Sequence, residues 1–396
     1  MTRRQLAIIL AGGAATLRAQ REAGSDHAVV SQVRMDLRDL GYPPEDVIPS
    51  DECAIRALTV APDGTVYGAT SGNRSHLFVL YPQHGYVQPL GVLPGVTTVH
   101  HALVTSAQGD VFIGGSMGVD NNGTGYEKYP GGHLLKYAHR NEERGRIQIG
   151  RALQVDDLGV PVANEGIYSL AIDRASNTIY GATYPNGHFF SYSIAGAKTT
   201  DHGLLANRKI PGERFENEKA IGRAMMVAGD GAVFTSGEGG RLVRFLPTTQ
   251  ELQPLNAVLP GVPGREVYNR VDAWAKAADG MLYGGSSDGY LFRLDPQTLR
   301  AENLGKPLNQ YRIRGLVFAP SGKLYGVGGD DDEMARLFSY DPPRGAYEVL
   351  GMVDVNHRPY YSWQAYLIDS MAIGLDGTVY MGQAERKSKL YVYYPT

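Results

Sequence analysis

The pattern of apolar and polar positions repeats seven times along the chain. Each copy has a short apolar strand, a Gly-containing turn, a second strand that ends in small residues, a polar loop, and a third strand rich in Leu, Phe and Tyr, as in DGTVYGATSGNRSHLFVLYP from Asp63. One aromatic marks the second strand of every copy: Tyr67, Phe112, Tyr180, Phe234, Tyr283, Tyr325 and Tyr380. Short runs of β-forming residues bounded by Gly and polar turns predict strands rather than helices.

Seven sheet-forming repeats predict an all-β, seven-bladed β-propeller. A fourth strand ending in Leu-Gly follows the third, as in QPLGVL and AENLGKPL, but the last copy stops at Tyr-Tyr-Pro-Thr without one. Residues 33–41 carry the same Leu-Gly ending, so we expect an N-terminal strand to complete the last blade, close the ring and hide an unpaired edge. Residues 28–396 are therefore predicted to form one propeller domain, which we expect to be a monomer.

The first 20 residues differ from the repeats. Arg3 and Arg4 precede an apolar run over residues 6–17 and small residues near Ala19, which is the pattern of a signal peptide and resembles a twin-arginine signal. We therefore expect export to the periplasm or the extracellular space.

The net charge of −3 argues against a nucleic-acid partner. No later segment reaches the roughly 18 apolar residues of a membrane span, and the single cysteine, Cys53, excludes an intrachain disulfide.

The first strand of each blade lines the central channel of a propeller, so the first residues of these strands meet at one mouth. In six blades the relevant position lies eight residues before the turn glycine, and Tyr168 is its equivalent in blade three, whose turn is one residue longer. These seven residues, which we call the first ring, are all polar: Arg56, His101, Tyr168, Arg223, Asp272, Arg314 and Asp369. A concave cluster of titratable side chains is a candidate binding or catalytic site.

A second ring is predicted where the third strands begin, at His76, His133, His188, Arg241, Tyr290, Arg336 and Lys389. Long connections such as residues 116–132 lie on the same face, and insertions concentrated on one face usually mark the binding face. In the loop before the last blade, Tyr361 and Trp363 are expected to stack on sugar rings or to pack over the blade edge. His100 is expected to point away from the axis, because it precedes and alternates with His101.

Histidine, tyrosine and arginine on one concave face suit β-elimination on a uronic acid. The proton next to a carboxylate is weakly acidic until an arginine neutralises that charge; a His or Tyr can then take the proton, and another can protonate the leaving oxygen. Glycoside hydrolysis needs two carboxylates about 5–9 Å apart, whereas the acids of the first ring, Asp272 and Asp369, lie two blades apart. No cofactor is required, although a structural metal ion on the three third-strand histidines is an alternative. The expected ligand is an acidic polysaccharide or oligosaccharide.

A His at the start of a first strand, a Gly-His-Leu at the next third strand and the stretch TYPNGHFF resemble the seven-bladed propeller polysaccharide lyases, namely the ulvan lyases and the rhamnose–glucuronate lyases. The resemblance implies that His101 and His133 flank the scissile link and that Tyr168 is the acid/base. Those families place an arginine where this chain has Tyr184. We therefore expect Arg223 to neutralise the carboxylate, and Arg56 is the second candidate for that role.

The catalytic candidates are therefore His101, His133, Tyr168 and Arg223. The substrate-binding candidates are other residues of the same face: Arg56, His76, Tyr184, His188, Arg241, Asp272, Arg314, Tyr361 and Trp363. Two other functions fit the fold. One is a non-catalytic propeller that binds carbohydrate or serves as a sensor or scaffold. The other is a lactonase-like hydrolase, whose calcium site needs more acidic ligands than the first ring offers.

Overall fold

The seven repeats fold into seven antiparallel sheets arranged in a ring, so the predicted seven-bladed β-propeller is confirmed. The computed structural model describes residues 28–32, 48–84, 86–116, 128–139, 153–206, 221–330, 332–357, 361–385 and 388–395. The signal-peptide pattern of residues 1–20 and the segment 33–41 lie outside these ranges. We number the blades 1 to 7 in chain order and letter their strands A to D from the channel outward.

The strands of blades 1 to 3 follow one another from the channel to the rim. Blade 1 contains β2 (Ala54–Val60), β3 (Val66–Ser71), β4 (His76–Tyr81) and β5 (Tyr86–Val92). Blade 2 contains β6 (Leu103–Thr105), β7 (Val111–Gly114), β8 (Leu134–Tyr137) and β9 (Asp156–Asp157). Blade 3 contains β10 (Gly166–Asp173), β11 (Thr178–Tyr184), β12 (His188–Ser193) and β13 (Lys198–Leu204).

Blades 4 to 6 have the same order. Blade 4 contains β14 (Met226–Val227), β15 (Val233–Ser236), β16 (Arg241–Leu246) and β17 (Glu251–Val258). Blade 5 contains β18 (Val271–Lys276), β19 (Leu282–Ser286), β20 (Leu291–Leu294) and β21 (Ala301–Gly305). Blade 6 contains β22 (Ile313–Phe318), β23 (Leu324–Gly328), β24 (Arg336–Asp341) and β25 (Ala346–His357). Short 3-10 turns occur at Pro82–His84, Glu238–Gly240 and Glu266–Tyr268, and no helix of the described ranges is long and apolar enough to cross a membrane.

The last blade is completed by the N-terminal strand β1 (Ala28–Gln32). Blade 7 has three further strands: β27 (Ile368–Ile373), β28 (Val379–Gln383) and β29 (Leu390–Tyr393). β1 runs antiparallel to β29, where Val30 pairs with Tyr393, and its first residues also pair in parallel with β25 of blade 6. An N-terminal strand thus closes the ring, and it lies upstream of the segment 33–41.

The connection into blade 7 is not the loop that the sequence predicted. β25 continues to His357, and the chain turns back as β26 (Tyr361–Gln364), so that Tyr361 pairs with His357 and Trp363 with Val355. Val, Tyr and Trp favour extended strands, which explains why the pairing continues beyond the blade. The side chains of Tyr361 and Trp363 lie outside the described part of the structure.

A recurring cross-strand pair fills the interior of four blades. A glycine of strand B faces a phenylalanine of strand C in the pairs Gly68–Phe78, Gly181–Phe190, Gly284–Phe292 and Gly326–Phe338. All four phenyl rings are fully buried. A Cβ on Gly284 would lie 2.2 Å from Cζ of Phe292, so the ring occupies the space that any other side chain would need. In these four blades the glycine of strand B therefore has a packing role.

Replacing Gly284 by Ala is expected to lower the free energy of unfolding by about 1–3 kcal/mol, because the added methyl group overpacks the site of the Phe292 ring. Chemical denaturation followed by far-ultraviolet circular dichroism measures this loss. Gly229→Ala is the matched control, since no heavy atom lies within 4 Å of a Cβ at that exposed position. Equal stability of the two variants would contradict the packing role.

Candidate functional site

The first-ring residues reach the channel mouth at breaks in the strand pairing. In five blades the register between strands A and B shifts at the first-ring residue, as in a β-bulge; these residues are Arg56, Tyr168, Asp272, Arg314 and Asp369. A bulged residue has no partner on the neighbouring strand, and bulges beside active sites re-aim side chains. The repeated bulge therefore lets each of these blades present one polar side chain at the mouth.

Blades 2 and 4 hold their first-ring residues through bonds to the next blade. Their strands A are short and begin only after His101 and Arg223. The backbone N–H of His101 donates to Tyr168 O at 3.0 Å, and that of Arg223 donates to Val271 O at 3.2 Å. Blade 2 is thus tied to blade 3, and blade 4 to blade 5, at the level of the mouth.

Asp369 forms ion pairs with three arginines from three different blades. Its carboxylate lies 2.6 Å from Nη1 of Arg223, 2.8 Å from Nη1 of Arg314 and 3.2 Å from Nη1 of Arg56. The contact with Arg223 is an ion pair by distance, without the alignment of a hydrogen bond. Burial opposes ionisation of Asp369, but the charges of Arg223 and Arg314 outweigh it and hold its pKa well below the usual value. The buried carboxylate is therefore an anion with its charge compensated.

Asp272 is the centre of a second ion-pair group. Arg312 binds it through two contacts, Nε to Oδ2 at 2.7 Å and Nη2 to Oδ1 at 3.0 Å. Nε of Arg270 lies 3.7 Å from Oδ1. Burial raises the pKa of Asp272, but Arg312 and Arg223 outweigh that effect and lower the pKa to about 2.

The sequence interpretation missed Arg270 and Arg312. Each lies two positions before a first-ring residue and directly before strand A begins, at Val271 and Ile313. The repeat was the usable signal, because both positions carry a charge where the equivalent residues of the other blades are Ala54, Val99, Gly166, Ile221 and Leu367. Arg312 also adopts a φ of 61°, a conformation that is uncommon for a residue other than glycine and that recurs at functional sites.

Positive charge exceeds negative charge at the mouth. Arg314 donates from Nε to Gly329 O at 2.9 Å and also pairs with Asp330. The upper part of the mouth is lined by four arginines, Arg56, Arg223, Arg312 and Arg314, against the two carboxylates of Asp330 and Glu385. An anionic ligand is favoured at such a site.

Tyr168 is a half-buried phenol among these charges. Burial raises its pKa, but the charges of Arg223, Arg270 and Arg312, with a hydrogen bond from Arg223, outweigh burial and hold the pKa below 10. The ring lies 5.8 Å from that of His101 and 5.9 Å from that of Tyr184, between centroids. Tyr168 is therefore placed where a tyrosine loses its proton more readily than in water.

His100 belongs to the same cluster, although the sequence predicted that it points away from the axis. Its ring centroid lies 4.8 Å from that of Tyr168, and it lines a cavity with Arg56. Alternation fails here because strand β6 begins only at Leu103. Burial, with the charge of Arg56, lowers the pKa of His100 to about 3, and burial with the charge of Arg223 lowers that of His101 well below 6.5. Both imidazoles are neutral at pH 7, and Nε2 of His101 has no hydrogen-bond partner among the described residues.

The second-ring histidines are held within their own blades. Nδ1 of His133 lies 2.9 Å from Asp157, Nδ1 of His188 lies 3.0 Å from Asp201, and Nε2 of His76 lies 2.6 Å from Glu52. In blades 2 and 3 the carboxylate belongs to strand D, so each pair spans the outer part of one sheet. The three histidines are not brought together, and no group of three or more His, Cys, Asp or Glu in the described ranges is arranged to hold a metal ion. Arg241 is exposed at the start of β16.

Besides the cavity that His100 and Arg56 line, two adjoining cavities occupy the mouth and the channel below it. The lower one, of about 180 Å³, lies between the first ring and an apolar ring two residues further along each strand A: Leu58, Leu103, Leu170, Met225, Trp274, Leu316 and Met371. The upper one, of about 360 Å³, is lined by Arg56, Arg223, Arg312, Arg314, Asp330, Leu367, Ala384 and Glu385. A ligand at the mouth thus meets arginines at the entrance and an apolar wall beneath them.

No protein-family model and no curated protein matches the chain. Among solved structures, it is similar to a streptogramin B lyase at 13% identity, with a TM-score of 0.61 over 86% of this chain and 94% of that one. A virginiamycin B lyase from Staphylococcus aureus has 10% identity and a TM-score of 0.59 over 87% and 96% of the two chains.

The extracellular domain of a B. thetaiotaomicron protein named as a hybrid two-component system has 14% identity and a TM-score of 0.57, over 93% of this chain and 40% of that one. At these identities the likeness concerns the fold alone. None of these three neighbours is a polysaccharide lyase, so the resemblance drawn from the sequence stays a prediction. The chain is a seven-bladed β-propeller, the fold that it shares with these lyases and with this extracellular domain.

Proposed function

We propose that the protein is a lyase that cleaves a uronic-acid-containing glycan by β-elimination at the channel mouth. The observation that carries the proposal is the setting of Tyr168, a half-buried phenol next to two neutral histidines, whose pKa is lowered by arginines that include Arg223 and Arg312 of the mouth cavity. The signal-peptide pattern of residues 1–20 supports action in the periplasm or outside the cell.

In the proposed reaction, ionised Tyr168 takes the proton from the carbon next to the uronate carboxylate. The electron pair of that C–H bond forms a double bond to the neighbouring carbon, and the bond from that carbon to the glycosidic oxygen breaks. Tyr168 then gives the proton to the leaving oxygen, so one side chain serves as base and acid and atoms and charge balance. His101, which is neutral at pH 7, lies with its ring centroid 5.8 Å from that of Tyr168.

The arginines divide into two roles in this proposal. The side chain of Arg223 is only 7% exposed and acts on Tyr168 and Asp369, whereas that of Arg56 is 31% exposed at the entrance. We therefore assign Arg56 as the group that the uronate carboxylate reaches first, with Arg223 behind it. A guanidinium suits this role because it stays charged and matches a carboxylate in shape.

The remaining candidates contribute binding in this proposal. Tyr184 lies against Tyr168, Asp272 holds Arg312, and Arg314 donates to Asp369. His133 is assigned next to the scissile link only by resemblance, since its imidazole is paired with Asp157 on the outer part of blade 2. His76, His188 and Arg241 would contact only the part of a long glycan that extends over blades 1, 3 and 4.

Tyr168→Phe is expected to lower kcat/KM for elimination by about 10²–10⁴-fold, because the variant has no group to transfer the proton. The measurement is the ultraviolet absorbance of the unsaturated product from a panel of glucuronate-containing polysaccharides. Tyr192→Phe, which removes the hydroxyl of a buried tyrosine on strand C of the same blade, serves as the control. Full activity of Tyr168→Phe would refute the assignment.

Arg270→Gln is expected to shift the rising limb of the plot of kcat/KM against pH to higher pH. The charge of Arg270 helps to hold the pKa of Tyr168 below 10, so its removal raises that pKa and delays ionisation of the base. Arg293→Gln, on strand C of blade 5, is the control because its guanidinium pairs with Glu302 instead. An unchanged limb in Arg270→Gln would mean that Tyr168 is not the base.

A non-catalytic carbohydrate-binding or sensor propeller is the competing function, and the same cluster of arginines supports it. Titration calorimetry with the polysaccharide panel separates the two functions. Saturable binding without any unsaturated product would favour the binding module and reject the lyase.

A further inference from the structure

A further cavity lies on the mouth face over blades 5 and 6, next to the cluster around Tyr168. It measures about 310 Å³, and its walls include Arg265, Tyr268, Arg270 and Tyr311. It shares Arg312 and Asp330 with the arginine-lined cavity of the mouth. The two spaces are therefore adjacent parts of one groove.

The lining of this cavity combines exposed aromatic rings with cations. Tyr268 and Tyr311 are 46% and 45% exposed, although large hydrophobic side chains are mostly buried in this chain. Nζ of Lys306 lies 4.9 Å from the centroid of the Tyr311 ring, and Cζ of Arg265 lies 5.6 Å from it. Aromatic side chains with a polar edge, flanked by cations, suit a ligand that carries both hydroxyl groups and a negative charge.

The cations at this cavity differ in how far carboxylates neutralise them. Arg265 and Arg270 line the cavity, and each lies near a carboxylate, at 3.4 Å from Asp288 and 3.7 Å from Asp272. Lys306 lies beside the lining residue Tyr311 and over the ring of Tyr290, and it makes no ion pair or hydrogen bond within the described ranges. A cation without a carboxylate partner is available to an anionic ligand.

We propose that Arg265, Tyr268, Lys306 and Tyr311 form a second subsite, which binds another acidic sugar unit of the same glycan chain. This inference rests on the proposed function and names its substrate class more narrowly, as an oligomer or polymer with several acidic units. Arg312 joins the two subsites, so one glycan chain lies along the groove with one acidic unit at the mouth and a further one over blades 5 and 6. The protein should then prefer long glycans over short ones.

The experiment compares dimers and hexamers of glucuronate as substrates and, in the Tyr168→Phe background, as ligands in titration calorimetry. Tyr311→Ala and Lys306→Gln are each expected to reduce the preference for the hexamer by on the order of tenfold. Tyr394→Ala is the matched control: this tyrosine is 51% exposed but follows strand C of blade 7, at the face of the A–B turns. It should leave the preference unchanged.

The two proposals fail in different ways. An unchanged preference for the hexamer in both variants, with elimination still observed, would overturn the subsite and leave the lyase in place. Loss of hexamer binding in the variants, without elimination by the unmodified chain, would support the subsite and reject the lyase. A variant with a lowered melting temperature and an equal loss for dimer and hexamer would also overturn the subsite, because its effect would be on folding.

Discussion

One buried carboxylate, Asp369, holds together the side chains of the channel mouth. It contacts arginines of blades 1, 4 and 6 while itself belonging to blade 7, so four sheets that share no strand pairing at this level are joined by charge. Removing one partner of a buried ion pair typically costs about 3–5 kcal/mol, because the other charges remain buried and uncompensated. The arginines are therefore held in place before any ligand arrives, with little conformational entropy left to lose.

The charges of these arginines also act on the protonation states of Tyr168, His100 and His101. The arginines that surround Asp272 and Asp369 stabilise negative charge, which lowers the pKa of Tyr168. Burial keeps His100 and His101 neutral, and the charges of Arg56 and Arg223 lower the pKa of these imidazoles further. The arginines thus favour the charged form of the phenol and disfavour the charged form of the two imidazoles. A site with this polarity accepts anions and repels cations.

The fold and the first ring were predictable from the repeats. The number of repeats gives the number of blades, and a fixed distance from the turn glycine gives the first-ring residue of a blade. One residue per blade at a fixed distance from the turn suffices to find Asp369 and its arginines, whatever the packing. Arg270 and Arg312 were missed although the same count along the repeat, two positions earlier, finds them. The partners of the second ring were not predictable, since Asp157 and Asp201 reach their histidines only through the pairing of strands C and D. The orientation of His100 was predicted wrongly because strand β6 begins later than the repeat implies.

The closing strand has a consequence for how the chain reaches its native state. Val30 pairs with Tyr393, so the last sheet is complete only when segments from nearly opposite ends of the described chain meet. Contacts of such high sequence separation form slowly, because the loop-closure entropy is lost before the pairing compensates for it. Until then β29 presents an open edge on which another strand can add. The protein is therefore exposed to aggregation during folding until β1 pairs with β29 and the ring of blades closes.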